Sequence, residues 1–149
     1  MQQTLVLIKP DGAQRALVGK ILTRFEERGL KIIGMKLVQV SRELAEKHYA
    51  VHKGKFFYDG LVNYITTSPV VALVLEGHEA IQVVRKITGA TRPWEAEVGT
   101  IRGDLALMGL RNLIHASDSP ETAQSEIALW FGKAEVLSYT RDLDKWINE

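Results

Sequence analysis

Between Asn112 and Ser119 the chain reads Asn-Leu-Ile-His-Ala-Ser-Asp-Ser, so one imidazole, His115, stands among amide, hydroxyl and carboxylate side chains. Such surroundings suit a nucleophile: a hydrogen bond at one ring nitrogen fixes the tautomer and leaves the other nitrogen with a free lone pair. Pro120 and Glu121 follow at once. Ser119 then reads as a helix N-cap, Pro120 as the first helical position and Glu121 as a first-turn carboxylate at the positive end of the dipole. The spacing predicts a helix that stops near Gly132 and buries Ala123, Ile127, Trp130 and Phe131. Glu126 lies on the edge of that stripe. Two readings stand for it, a carboxylate turned back onto His115 or a solvated surface glutamate. Ser117, His115 and Asp118 could also be read as a hydrolytic triad, but residues this close in sequence are poorly placed for the side-chain relay a triad needs.

Other groups could hold an anion beside His115. Lys9 ends an apolar run just before Pro10-Asp11-Gly12, Arg85 falls in a helical segment, Thr91 follows it, and Arg102 and Asn112 lie in a glycine-punctuated stretch. Each has an ordinary alternative: Lys9 as a solvated turn lysine, Arg85 on an exposed helix face, and Phe56, Phe57 and Tyr58 as a small hydrophobic cluster. The sequence has no Walker-type phosphate loop, no glycine-rich dinucleotide turn and no protein-kinase catalytic loop. His48, His52 and His78 read as surface or boundary residues. They lack the carboxylate pattern of a zinc site, so no dedicated protein metal ligands are expected.

The elements that must position these groups follow from periodicity and punctuation. Thr4 to Ile8 fits a buried strand, closed by turn residues. Leu17 to Arg28 has helical spacing through Leu17, Ile21, Leu22 and Phe25, with Gly29 closing it. Lys31 to Val40 reads as a strand with Ile33, Met35, Leu37 and Gln39 on one face. Ser41 caps a helix to about Tyr49, Asp59 to Thr66 suggests another, Val70 to Leu75 is a strand, and Glu79 to Ile87 is helical up to Gly89. Ala90 to Leu113 reads as a long loop, and loops of that length are usually functional. This order suggests an α/β sandwich of ferredoxin-like type, an antiparallel sheet covered by helices.

Bulk properties narrow the classes. The 149 residues suit one domain over 1–149, with no linker, repeat or low-complexity segment. There is no cysteine, so disulfides and thiolate metal sites are excluded. Nineteen Lys and Arg against eighteen Asp and Glu leave a net charge of +1, which predicts no bulk attraction to nucleic acid or membrane. Apolar runs fall well short of the roughly 18 residues of a membrane span, and the polar start is unlike a signal peptide. A cytoplasmic protein is expected.

Together these motifs resemble the nucleoside diphosphate kinases, in which a histidine in the setting Asn-x-x-His-(Gly or Ala)-Ser-Asp is phosphorylated during turnover. The resemblance extends from Thr4 almost to the C-terminus through Ile8-Lys9-Pro10-Asp11-Gly12, Pro69-Val70-Val71, Gly89-Ala90-Thr91 and Gly99-Thr100-Ile101-Arg102-Gly103-Asp104. It implies a four-stranded β-α-β-β-α-β fold and ping-pong transfer of the γ-phosphate of a nucleoside triphosphate to a nucleoside diphosphate, with broad base specificity. It further implies that His115 attacks through Nδ1 while Glu126 holds the distal nitrogen, and that Tyr49 donates to the transferred group. Lys9 and Asn112 would reach sugar hydroxyls and the bridging oxygen, Arg85, Thr91 and Arg102 would hold the distal phosphates, and Phe57 and Leu61 would stack the base. Mg²⁺ would arrive bridging β- and γ-phosphates.

Some positions depart from the common pattern. Ala116 is an accepted alternative to glycine; Leu110 stands where many members have glycine and would be strained if φ were positive there. Arg92 replaces a frequent asparagine and adds charge near the phosphate entrance, and Trp94 lies in a loop used for subunit contacts. The segment from Ser138 to Glu149 resembles the longer C-terminus of hexameric members. Trp146 and Ile147 would be poorly protected in a monomer. A homohexamer is therefore expected, with a tetramer, or a tail packed on its own subunit, left open. A non-enzymatic module that binds nucleotide or single-stranded nucleic acid in the same cleft is the remaining alternative.

Overall fold

The computed structural model describes all 149 residues. Four strands, β1 (Gln2–Ile8), β2 (Lys31–Val38), β3 (Val70–Gly77) and β4 (Ile114–Ala116), form one antiparallel sheet in the order β2-β3-β1-β4. That is the ferredoxin-like topology expected from the sequence. The helices are α1 (Pro10–Gln14), α2 (Val18–Glu27), α3 (Arg42–His48), α4 (Tyr58–Ile65), α5 (Ala80–Thr88), α6 (Ile101–Leu105) and α7 (Pro120–Trp130). None is long and apolar enough to cross a membrane.

The sheet is covered on both faces, which is why β1 is an unbroken apolar run. Side chains alternate along a strand, so Val6 and Ile8 enter one core with Ile21, Phe25, Val84 and Ile101, from α2, α5 and α6. Leu5 and Leu7 enter the other with Ala45, Val62, Ile65 and Trp130, from α3, α4 and α7. Each such buried aliphatic side chain contributes about 1.5–3 kcal/mol relative to exposure. The register carries this alternation to the edge: Leu7 pairs with His115, and directly paired residues share a face. His115 is thereby delivered to the side of the sheet held by α3, α4 and α7.

Two elements differ from the sequence reading. The proposed face Ile33, Met35, Leu37, Gln39 is broken, because a bulge between Ile32 and Gly34 inserts Ile33 as an extra residue. Ile33 is buried with Leu5 and Leu7, whereas Met35 and Leu37, registered with Leu73 and Val71 on the opposite face, are 57 % and 70 % exposed at the sheet edge. The stretch from Ala90 to Leu113 is not simply a loop. It contains α6, whose N-cap Thr100 accepts from Gly103 N–H at 3.0 Å. A helix this short has no periodicity to read.

The concern over Leu110 is removed. It is not in the positive-φ region; the strained residue nearby is Leu113, at φ 71°. Leu113 is gripped from both sides, its N–H donating to Asp11 Oδ2 at 3.1 Å and its carbonyl accepting from Lys9 N–H at 2.8 Å. Arg92 reaches Glu95 at 3.3 Å and does not line the site. The C-terminal segment lies along its own β2 edge: Leu137 N–H bonds Ile33 O at 2.8 Å, Tyr139 donates to Ile32 O at 2.6 Å, and Arg141 bonds the Gly29 and Leu30 carbonyls. Trp146 is left 82 % exposed and Trp94 63 % exposed.

Candidate active site

Beside β4 a cleft of about 970 Å³ opens between α3, α4 and α7 on one side and α5 and α6 on the other. That volume suits a nucleotide-sized ligand. Lys9, Tyr49, Phe57, Leu61, Arg85, Thr91, Arg102, Asn112, His115 and Glu126 all line it. The ten candidate residues, from eight separate segments, thus share one cavity.

His115 is fixed by α7. Ser119 caps that helix through Thr122 N–H at 3.1 Å, and its second turn places both Glu126 oxygens 3.0 Å from His115 Nε2. The solvated reading of Glu126 is thereby set aside. Ser117, fully buried, donates to Glu126 Oε1 at 2.6 Å and is also bonded to the backbone of Leu5. It orients the carboxylate and makes no bond to His115, so the hydrolytic triad is absent. Burial opposes ionisation of Glu126, but the hydrogen bonds from His115 and Ser117 hold its carboxyl below the usual range. An ionised carboxylate only accepts, so in the neutral ring Nε2 carries the proton and Nδ1 keeps its lone pair.

The cationic wall is built from backbone-anchored groups. Lys9 follows β1 and reaches Asn112 Oδ1 at 2.8 Å; Asn112 in turn donates to Thr91 O at 3.0 Å. Arg85 bonds Ala116 O at 3.2 Å. Arg102 spreads its guanidinium over three carbonyls, Asn112 at 3.2 Å, Gly89 at 3.1 Å and Ile114 at 2.5 Å. α6 can present it there because Gly103 lies against the Glu97 carbonyl, where no Cβ fits. Burial, then the Arg85 charge, push the Arg102 guanidinium down to about 10. Tyr49 is buried, and burial followed by the Glu126 charge pushes its phenol up, so it remains a hydroxyl donor. Phe57 and Leu61, at the start of α4, form the apolar end; Phe57 is 36 % exposed, with Lys55 5.7 Å from its ring centroid.

Burial, then the Arg102 charge, push the Lys9 ammonium down to about 8, against the opposing pull of Asp11. Lys9 is a cation below that pH and loses its charge as pH rises through it. In a free-enzyme profile, kcat/KM is expected to bend near pH 8 and fall about tenfold per unit above it. The kcat profile should bend at higher pH, because a bound polyphosphate keeps the lysine protonated. A kcat/KM flat to about pH 10 would exclude Lys9 as a required cation.

Sequence reasoning missed His48. Read as a boundary residue, it is buried: its Nδ1 accepts from Trp130 Nε1–H at 3.1 Å, and its ring meets His115 edge-on at 4.6 Å. Its signal was the stripe Leu44, Ala45, His48, Tyr49, which puts the imidazole on the inward side of α3. His52, by contrast, stands at the rim, edge-on to Phe57 at 5.1 Å, and His78 is exposed. His48, His115 and Glu126 bring ligand-type atoms within 4.8 Å of one another. They do not fit a metal ion. The single lone pair at His48 Nδ1 is occupied by the indole, and Glu126 already accepts from His115 and Ser117, bonds that a metal ion would have to displace.

Comparison with known proteins agrees in sequence and in fold. The family model described as nucleoside diphosphate kinase matches residues 2–136. The chain is 56 % identical over 149 residues to the nucleoside diphosphate kinase of Carboxydothermus hydrogenoformans, covering 100 % of both chains. It is 54 % identical over 147 residues to that of Listeria monocytogenes, covering 99 % of this chain and 100 % of the relative. Among solved structures, a halophilic nucleoside diphosphate kinase from Halobacterium salinarum in complex with CDP superimposes with a TM-score of 0.97 at 46 % identity, covering 99 % of each chain. A nucleoside diphosphate kinase family protein from Babesia bovis gives a TM-score of 0.97 at 41 % identity, covering 99 % of this chain and 100 % of that one.

Proposed function

The chain belongs to the nucleoside diphosphate kinase family, and from that premise we propose that it moves the γ-phosphate of a nucleoside triphosphate to a nucleoside diphosphate through phospho-His115. The reading is carried by one observation: Glu126 accepts a hydrogen bond from His115 Nε2–H, which leaves Nδ1 as a nucleophile beside a cleft walled by buried cations. Nδ1 attacks the γ-phosphorus, the bond to the bridging oxygen breaks, and the nucleoside diphosphate leaves with that electron pair. A terminal oxygen of a second diphosphate then attacks the same phosphorus and returns the pair to Nδ1. In both halves the charge stays on phosphoryl oxygens, so catalysis rests on position and fixed countercharge.

Each wall residue has a task in that transfer. Arg85, Arg102 and Thr91 hold the distal phosphates, Lys9 and Asn112 hold the bridging oxygen and the sugar hydroxyls, and Tyr49 donates to the phosphoryl group in flight. Phe57 and Leu61 stack the base, a contact tolerant of base identity because every base presents a π-face. Mg²⁺ enters with the polyphosphate as part of the substrate, whose charge meets Lys9, Arg85 and Arg102 in the cleft. The exposed Met35, Leu37, Trp94, Leu107 and Trp146 support a homo-oligomer, with a hexamer the favoured form. A cytoplasmic location belongs to the same reading, that of an enzyme acting on free nucleotides.

The test is incubation of the protein with Mg²⁺ and γ-labelled ATP without acceptor. Label that is lost in acid, survives alkali and passes to added GDP is the expected result. Bound nucleotide without label would instead assign the cleft to a binding module.

A further inference from the structure

His48 closes α3 with a side chain only 1 % exposed, wedged between α7 and β4. An indole N–H can only donate, so the contact from Trp130 requires a lone pair at His48 Nδ1 and places the ring proton on Nε2. The ring is therefore neutral. Its Nδ1 lies just 3.9 Å from Glu126 Oε2, and its edge lies against the ring of His115. A proton on Nδ1 would displace the indole bond and offer Glu126 a second imidazole. The carboxylate would then be shared between His48 and His115, and a cation would face the nucleophile.

We propose that Trp130, acting through His48, is a positioning residue for transfer: its N–H keeps His48 a neutral wedge, so that Glu126 serves His115 alone. This rests on the reading of His115 as the nucleophile. Most of the charged and titratable groups around His48 act in the same direction as the indole bond. His115 on β4, Lys9 after β1 and His52 beyond α3 oppose a charge on His48, and Glu126 on α7 alone favours one; burial, with the first three, pushes His48 down to about 3. Tyr49, also in contact, is a neutral phenol. The indole bond adds what charge alone cannot, a fixed tautomer and ring orientation.

The test is Trp130→Phe, which keeps a ring and removes the N–H. The acid limb of its kcat/KM profile, read against its own plateau, is expected to move up by about one pH unit. Adding His48→Gln, which cannot be protonated, should return the limb to the wild-type position. In parallel, ¹⁵N-histidine spectra should show wild-type His48 as the neutral Nε2–H tautomer down to about pH 5, and a titrating His48 in Trp130→Phe. An unmoved acid limb, or a shift that persists in the double variant, overturns the proposal. If Trp130→Phe does not fold, the wild-type spectra decide: a His48 that titrates between about pH 5 and pH 7 overturns it. Those spectra need no phosphoryl transfer, so failure of this inference is distinct from failure of the kinase reading.

Discussion

A His115→Gln variant is expected to lose phosphoryl transfer by a factor on the order of 10⁴ or more, and with it all labelled protein. Glutamine can place an amide N–H near the position of Nε2 and still donate to Glu126, but it offers no nucleophilic nitrogen where Nδ1 stands. The fold should survive. His115 is 24 % exposed at the side chain, sits on the short edge strand β4, and makes its side-chain hydrogen bonds to Glu126 alone, which keeps its bond from Ser117. Nucleotide affinity should change by no more than a few-fold, because Lys9, Arg85, Arg102 and the apolar end of the cleft at Phe57 and Leu61 are untouched. Steady-state turnover, calorimetric binding of a nucleoside diphosphate and a thermal melt separate these expectations. A variant that retained transfer would place the nucleophile elsewhere, and one that lost binding equally would mark His115 as a contact rather than a reactant.

Much of this arrangement was legible in the sequence because its signals are local. Ser119-Pro120-Glu121 announced α7 within three residues, and the run from Thr4 to Ile8 announced a strand buried on two faces. The candidate residues of the cleft were named through the motif pattern. What the sequence hid are the contacts made only once the chain has folded. Nothing beside His48 indicates that Trp130, 82 positions later, donates to it. The bulge at Ile33 was invisible because it depends on the partner strand, and it reversed the expected faces of Met35 and Leu37. Leu113 at φ 71° runs against its intrinsic preference and is held by Asp11 and Lys9, each about a hundred residues away. That non-local clasp sets the direction of entry into β4, and hence the aim of Asn112 and His115.

Arg102 joins stability to chemistry, and its replacement separates the two. An Arg102→Met variant keeps much of the aliphatic volume but strands three inward carbonyls, those of Gly89, Asn112 and Ile114. Hydrogen bonds to a charged group contribute about 1.5–3 kcal/mol each; part of that loss is offset because a buried guanidinium no longer has to be desolvated. A net loss of about 3 kcal/mol is expected, which lowers Tm by roughly 6–12 °C for a domain of this size. The segment carrying Asn112 and His115 should loosen at the same time, so kcat/KM should fall by about 10³-fold, from lost countercharge and lost alignment together. Arg102→Lys distinguishes the contributions. A lysine restores the positive charge but has no planar fork to span three carbonyls. It should recover about tenfold of the rate and little of the melting temperature. A stable but inactive Arg102→Met would confine the residue to phosphate binding; an unstable variant with normal turnover per folded molecule would make it a clasp alone. The three carbonyl contacts, in place before any nucleotide enters, predict that stability and rate fall together.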